Sequence, residues 1–236
     1  MTDHYEEYKD YVFAEPGAKE TYAVQIAKFD DYYYNVQQRQ PEMILDMRDR
    51  GVNVSVIAEY GFRNKYFLAG DSALETSDTR VPLSRAAFGC AAANFGETLP
   101  DSYVQERMDQ GLGEYISADR QVDASTCLLP DNTWFIKNAS HTFDLEPGIM
   151  SLATAIVRTP GASVQTLEQM GFPRFANLVP GAAALEPLQA VNENDQPSDL
   201  PETSNGFTAF IRWLKSLFRL IGALLKIQIA NRNADG

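Results

Sequence analysis

A chain of 236 residues that is 44% hydrophobic and 22% charged holds enough apolar material for one ordinary domain, with or without a tail. Its 20 Lys and Arg stand against 32 Asp and Glu, net −12, which excludes the basic surface that general nucleic-acid binding requires. Two cysteines are too few for a disulfide framework and two histidines furnish little of a zinc site, so no cofactor or metal is expected.

The N-terminus is polar and acidic, unlike a secretory signal, and no apolar run is long enough to mark a transmembrane helix. Residues 1–19 carry only turn chemistry, at Pro16-Gly17. From 20 to 50 the apolar positions recur at helical spacing, through Val24, Ala27, Tyr33, Val36, Ile44 and Met47. Pro41 divides this stretch into two helices near Gln40. The aromatic cluster Tyr32-Tyr33-Tyr34 is expected to pack between helices.

Gly51 closes the second helix, and residues 52–58, Val-Asn-Val-Ser-Val-Ile-Ala, read as a strand. Residues 61–132 have no strong periodicity and many turn signals, and so long a stretch between strands is usually functional. Thr133–Lys137, Thr-Trp-Phe-Ile-Lys, is a β-branched and aromatic run between a Pro-Asp-Asn turn cluster and Asn138-Ala139-Ser140. It reads as one buried strand. Pro147-Gly148 then opens a helix over 149–157, stopped by Thr159-Pro160-Gly161, and 164–170 forms a further turn or two. Helix, glycine and strand in succession give an α/β fold, part of a parallel sheet with flanking helices.

The composition shifts near Val191. Residues 1–190 form the folded body, and 191–206 are acidic, proline-bearing and almost free of apolar side chains, a disordered linker. The tail, 207–236, is apolar and basic. Arg212, Lys215, Arg219 and Lys226 fall on one helical side, with Phe210, Leu214, Leu217, Phe218, Ile221 and Leu225 on the other. Such a basic amphipathic helix suits a membrane surface or a partner groove, and folding back on the body is the alternative.

His141 lies just past the C-terminal end of the 133–137 strand, where chemistry collects in open α/β sheets. The only other histidine, His4, is at the N-terminus. Imidazole titrates near neutral pH, so His141 suits a general base, and a half-exposed turn histidine is the plainer reading. A base of this kind needs a carboxylate to hold its tautomer. Asp78 is the first candidate, with Asp119 and Asp123 as rivals, and each also suits a turn. Cys90 and Cys127 read as two buried free thiols, with a single disulfide between them as the alternative.

Ser77-Asp78-Thr79-Arg80-Val81-Pro82 resembles the Ser-Asp-Gly-x-Val-Pro-like segment that follows a late strand in α/β-hydrolases of the lipase/esterase type, with Thr79 in place of the glycine. Thr133–Lys137 followed by His141 is similar to their last strand and histidine. Residues 60–141, including Phe88-Gly89-Cys90 and Asp123-Ala124-Ser125-Thr126-Cys127, resemble a group of uncharacterised bacterial α/β-hydrolases, and the likeness extends over about 20–175. It implies a triad in the order nucleophile, acid, histidine, with Asp78 as the acid and His141 as the base. It also implies a serine in Gly-x-Ser-x-Gly, which this chain lacks. Gly161-Ala162-Ser163-Val164-Gln165 has no second glycine and follows His141. Gly70-Asp71-Ser72-Ala73-Leu74 lacks that glycine too and stands too close to Asp78. This last segment also resembles the serine block of GDSL-type esterases, which expect Asp-x-x-His where this chain has Asn138 before His141.

The expectation is therefore the C-terminal portion of an ester hydrolase, acting on an acyl-ester or lipid-like substrate, with its serine and oxyanion donors off this chain and no activity alone. The alternative is a non-catalytic interaction protein derived from that fold, binding through 207–230.

Overall fold

The computed structural model describes residues 5–64, 74–141 and 146–190. The linker, the amphipathic tail, Ser72 and His4 lie outside the described residues. The body is mixed α/β, built on a four-stranded, mostly parallel sheet.

Its centre is β6, Thr133–Lys137, which matches the strand expected from sequence residue for residue. It pairs in parallel with β1, Val56–Tyr60, from Val56 opposite Thr133 to Tyr60 opposite Lys137. On its other side lies β7, Phe175–Asn177, also parallel, and β8, Glu186–Pro187, closes that edge antiparallel. Parallel strands are covered on both faces, and β6 shows why its sequence is continuously apolar. Trp134 and Ile136 enter one core with Ile149 and Leu152 of α7, Pro147–Arg158, and with Val164 and Leu167 of α8, Val164–Glu168. Phe135 enters the opposite core with Ala58, Tyr60, Leu83, Cys90, Val122 and Cys127.

The strand expected over 52–58 is shifted. Residues 52–55 are not strand, and β1 runs on to Tyr60. Strand propensity alone does not form a strand; β6 begins at Thr133, opposite Val56, and offers 52–55 no ladder. The helical stretch also differs at its break. It comprises α3, Ala23–Tyr32, a π-helical turn, Tyr33–Gln37, and α4, Gln40–Asp49. Pro41 sits in the first turn of α4, where its missing N–H costs nothing, and the chain breaks before it through the π turn. Gly51 follows α4 at φ 85°, the left-handed cap its position predicts.

Two helices precede these, α1, Tyr5–Val12, and α2, Ala18–Thr21, where the sequence shows only turn chemistry. The Tyr5 ring stacks on Tyr33 at 3.8 Å, and Lys9 bonds Asp30 at 2.9 Å, so α1 is held by long-range contacts. Of the tyrosine cluster only Tyr33 is buried; Tyr32 and Tyr34 are exposed, which corrects the expectation that all three pack.

Between β1 and β6 lies a second lobe of short elements. It contains the hairpin β2, Phe62–Arg63, with β3, Thr76–Ser77, and the helices α5, Leu83–Ala86, and α6, Asp101–Asp109. Its other pair is β4, Ala91–Ala92, with β5, Val122–Asp123. No helix among the described residues is long and apolar enough to cross a membrane.

Candidate functional site

The strands β1 and β6 end side by side, and the chain leaving each end builds one half of the site. Beyond β1, Gly61 takes φ 111° and donates its N–H to Thr76 Oγ1 at 3.1 Å. This starts the β2–β3 hairpin, in which Phe62 faces Ser77 and Arg63 faces Thr76. Asp78 follows directly. Its Oδ1 accepts the N–H groups of Arg80 and Val81, each at 2.7 Å, an Asx-type turn that fixes the carboxylate before anything else touches it.

Beyond β6, Asn138 takes a left-handed φ of 59° and donates Nδ2 to Asn177 Oδ1 at 2.7 Å. Gly61 is required here, since a Cβ on it would lie 2.8 Å from Asn138 N. The turn brings His141 back onto Asp78. His141 N donates to the Asp78 carbonyl at 2.7 Å, and His141 Nδ1 lies 2.9 Å from Asp78 Oδ2. The Asp78 side chain is 10% exposed and that of His141 56%. The carboxylate is thus tucked in and bound on both oxygens, while the imidazole is more than half exposed. With Nδ1–H donated to Asp78, Nε2 carries the free lone pair, the tautomer a general base needs.

The rival carboxylates are committed elsewhere. Asp119 is buried and accepts from Lys137 Nζ at 2.7 Å, from Ser117 Oγ at 2.6 Å and from Tyr60 OH at 3.3 Å. Burial, then the neighbouring Asp119 carboxylate, holds the Tyr60 phenol well above its ordinary range. Asp123 is ion-paired with Arg107 Nε at 2.9 Å and accepts from Tyr103 OH and Ser125 Oγ at 2.7 and 2.6 Å. Ser163 is the N-cap of α8, in a capping box with Thr166, so helix capping occupies its hydroxyl. Sequence reasoning missed Lys137, Gly61 and Asn138. A lysine ending an otherwise apolar strand was the available signal for the first.

Thr79 stands at φ 84°, a conformation that a β-branched residue adopts only under strain. The turn that fixes Asp78 demands it. Thr79→Gly is expected to raise stability by about 1 kcal/mol, seen as a later urea midpoint, with the turn unchanged. A variant less stable than the parent would contradict the strain.

Glu75 braces the same arm. Its Oε1 accepts Ser84 N at 2.5 Å and its Oε2 accepts Ser84 Oγ at 2.9 Å, tying α5 to the hairpin. Burial raises its pKa above the ordinary carboxylate value, against the lowering pull of the Ser84 hydrogen bonds. The sign follows from linkage. The folded chain resists ionising Glu75, so stability is lost as pH rises from the unfolded value through the raised folded one. Glu75→Gln keeps an oxygen for Ser84 N and never ionises. It should be more stable than the parent at pH 7 in urea titrations, with the difference closing near pH 4. A gain of equal size at both values would mean the burial cost is not the cause.

Among the described residues no group of three or more His, Cys, Asp or Glu is placed to hold a metal ion. No protein-family model, curated protein or solved structure matches this chain.

Proposed function

We propose that this chain supplies the acid and the base of a Ser-Asp-His triad, as the C-terminal portion of a lipase/esterase-type serine hydrolase acting on acyl esters. The observation that supports this reading is the Asp78–His141 pair, 2.9 Å apart beyond the ends of two parallel strands, with the imidazole 56% exposed. In the assembled enzyme His141 Nε2 takes the proton of a serine as its oxygen attacks the ester carbonyl, and Asp78 stabilises the imidazolium. His141 then returns the proton to the leaving alcohol. The partial α/β-hydrolase sheet is part of the same reading. Among the described residues β1 is paired only with β6, and on this reading a nucleophile-bearing strand would add at its other edge.

The 236 residues contain no Gly-x-Ser-x-Gly, so the serine comes from another segment. Purified chain should therefore show no turnover of a nitrophenyl ester above buffer. The coding sequence around this chain should contain a segment with Gly-x-Ser-x-Gly. Expressed together with it, the pair should hydrolyse the ester and react with a fluorophosphonate at that serine, and His141→Ala should abolish both. Turnover by the chain alone that is lost in Ser72→Ala would overturn the assignment. Inactivity with every such segment would favour an interaction protein. Residues 207–230 are proposed to bind a membrane surface or partner groove in either case, read as helix gained by a 203–232 peptide on anionic vesicles and weakened by salt.

A further inference from the structure

Cys90 and Cys127 play no part in the Asp78–His141 pair, yet the fold brings them together. Both are buried, 2% and 7% exposed, in the core that covers one face of β1 and β6. The segments carrying them are laced to each other. Leu128 N donates to Phe88 O at 3.2 Å, and Ala91 N donates to Thr126 Oγ1 at 2.7 Å. These two bonds bracket the cysteines, which sit in the same buried cluster, with Cys90 Sγ 3.8 Å from Asp123 O on the segment that leads to Cys127. Both thiols are free in this structure.

The secondary-structure elements around them are short. β4 and β5 contribute two residues each and α5 only four. Short elements of this kind gain most from a covalent tie. We propose that Cys90 and Cys127 are a modification site that closes into a single intramolecular disulfide by exchange with a small disulfide of the glutathione type.

The chemistry balances without a further oxidant. On a local opening, Cys127, the less buried of the two residues, loses its proton to solvent and attacks one sulfur of oxidised glutathione. The glutathione S–S bond breaks, one glutathione thiolate leaves and a mixed disulfide forms. Cys90 then loses its proton and attacks the Cys127 sulfur, expelling the second glutathione. The protein is oxidised by two electrons, and one glutathione disulfide becomes two thiols. The adjacent Cys127 thiol, then burial, hold the Cys90 thiol well above its ordinary pKa, so the second step is slow. The closed bond links α5, which follows the Asp78 turn, to the 3₁₀ turn Ala124–Thr126 that precedes β6.

The test uses the full chain, reduced and then held in glutathione buffer with the oxidised form in excess. Samples are quenched in acid, denatured and alkylated, and read by intact mass. The expected product is a monomer two hydrogens lighter that takes up no alkyl group. Its thermal midpoint should be roughly 5–10 °C above that of the reduced chain, and reductant should reverse both changes. Cys90→Ser and Cys127→Ser should each stop at one thiol or one glutathione adduct. Because the parent chain itself gives the mass readout, misfolding of a variant does not blunt the test. Two alkylatable thiols after prolonged incubation would overturn the proposal. So would disulfide-linked dimers as the product, or a midpoint unchanged or lowered on closure.

Discussion

Lys137→Met should lower stability by about 3–5 kcal/mol, the cost of stranding one charge of a buried ion pair. Asp119 is 1% exposed on its side chain, and Lys137 Nζ, 2.7 Å away, is its cation. The hydrogen bonds from Ser117, Gln121 and Tyr60 remain in the variant, but they are dipoles and do not neutralise the carboxylate. Methionine matches the lysine stem, so lost packing contributes little. The double variant Lys137→Met with Asp119→Asn removes both charges while keeping an oxygen for Ser117 and Gln121, and should recover most of the loss. Urea unfolding of the four proteins gives the coupling directly, expected to exceed about 2 kcal/mol. A Lys137→Met chain within 1 kcal/mol of the parent would show that water or rotation of Asp119 relieves the charge, and that the pair does not anchor the end of β6.

That pair also shows where the sequence stops being legible. Thr133–Lys137 could be read because its signal is local: five residues of one character between two polar turn clusters, buried on both faces. The helix after Pro147 could be read for the same reason. Asp78, Asp119 and Asp123 all lie in plausible turns, and spacing cannot separate them. What separates them is three-dimensional: Lys137 neutralises Asp119, Arg107 neutralises Asp123, and Asp78 alone meets His141. β2 to β5 are two residues long, too short for any alternation to register, and they exist because their partners do. α1 was invisible because Tyr5 carries its packing, against a tyrosine in a later helix. Residues 52–55 failed in the opposite sense, with strong strand propensity and no neighbour to pair with. At Thr79 the sequence places a β-branched residue on a backbone held at φ 84°, a conformation suited to glycine that no local pattern announces.

The site itself is tested most sharply by comparing two substitutions of one residue. Asp78→Ala should cost about 2–4 kcal/mol, because the N–H groups of Arg80 and Val81 lose their shared acceptor in a part-buried turn and His141 Nδ1 loses its partner. Asp78→Asn should cost less than about 1 kcal/mol, since the amide oxygen still accepts both N–H groups. Its effect is on the proton. The amide then points an N–H at His141 Nδ1, which must accept, so the imidazole hydrogen moves to Nε2. Nitrogen NMR of the neutral side chain should find Nδ1 protonated in the parent and Nε2 protonated in Asp78→Asn. Under the proposed triad, that reversal would remove the lone pair that takes the serine proton, and turnover of the reconstituted pair should fall by about 10⁴-fold with the fold intact. An Asp78→Asn chain that keeps the parent tautomer, or an Asp78→Ala chain as stable as the parent, would mean that the carboxylate neither orients His141 nor organises the turn.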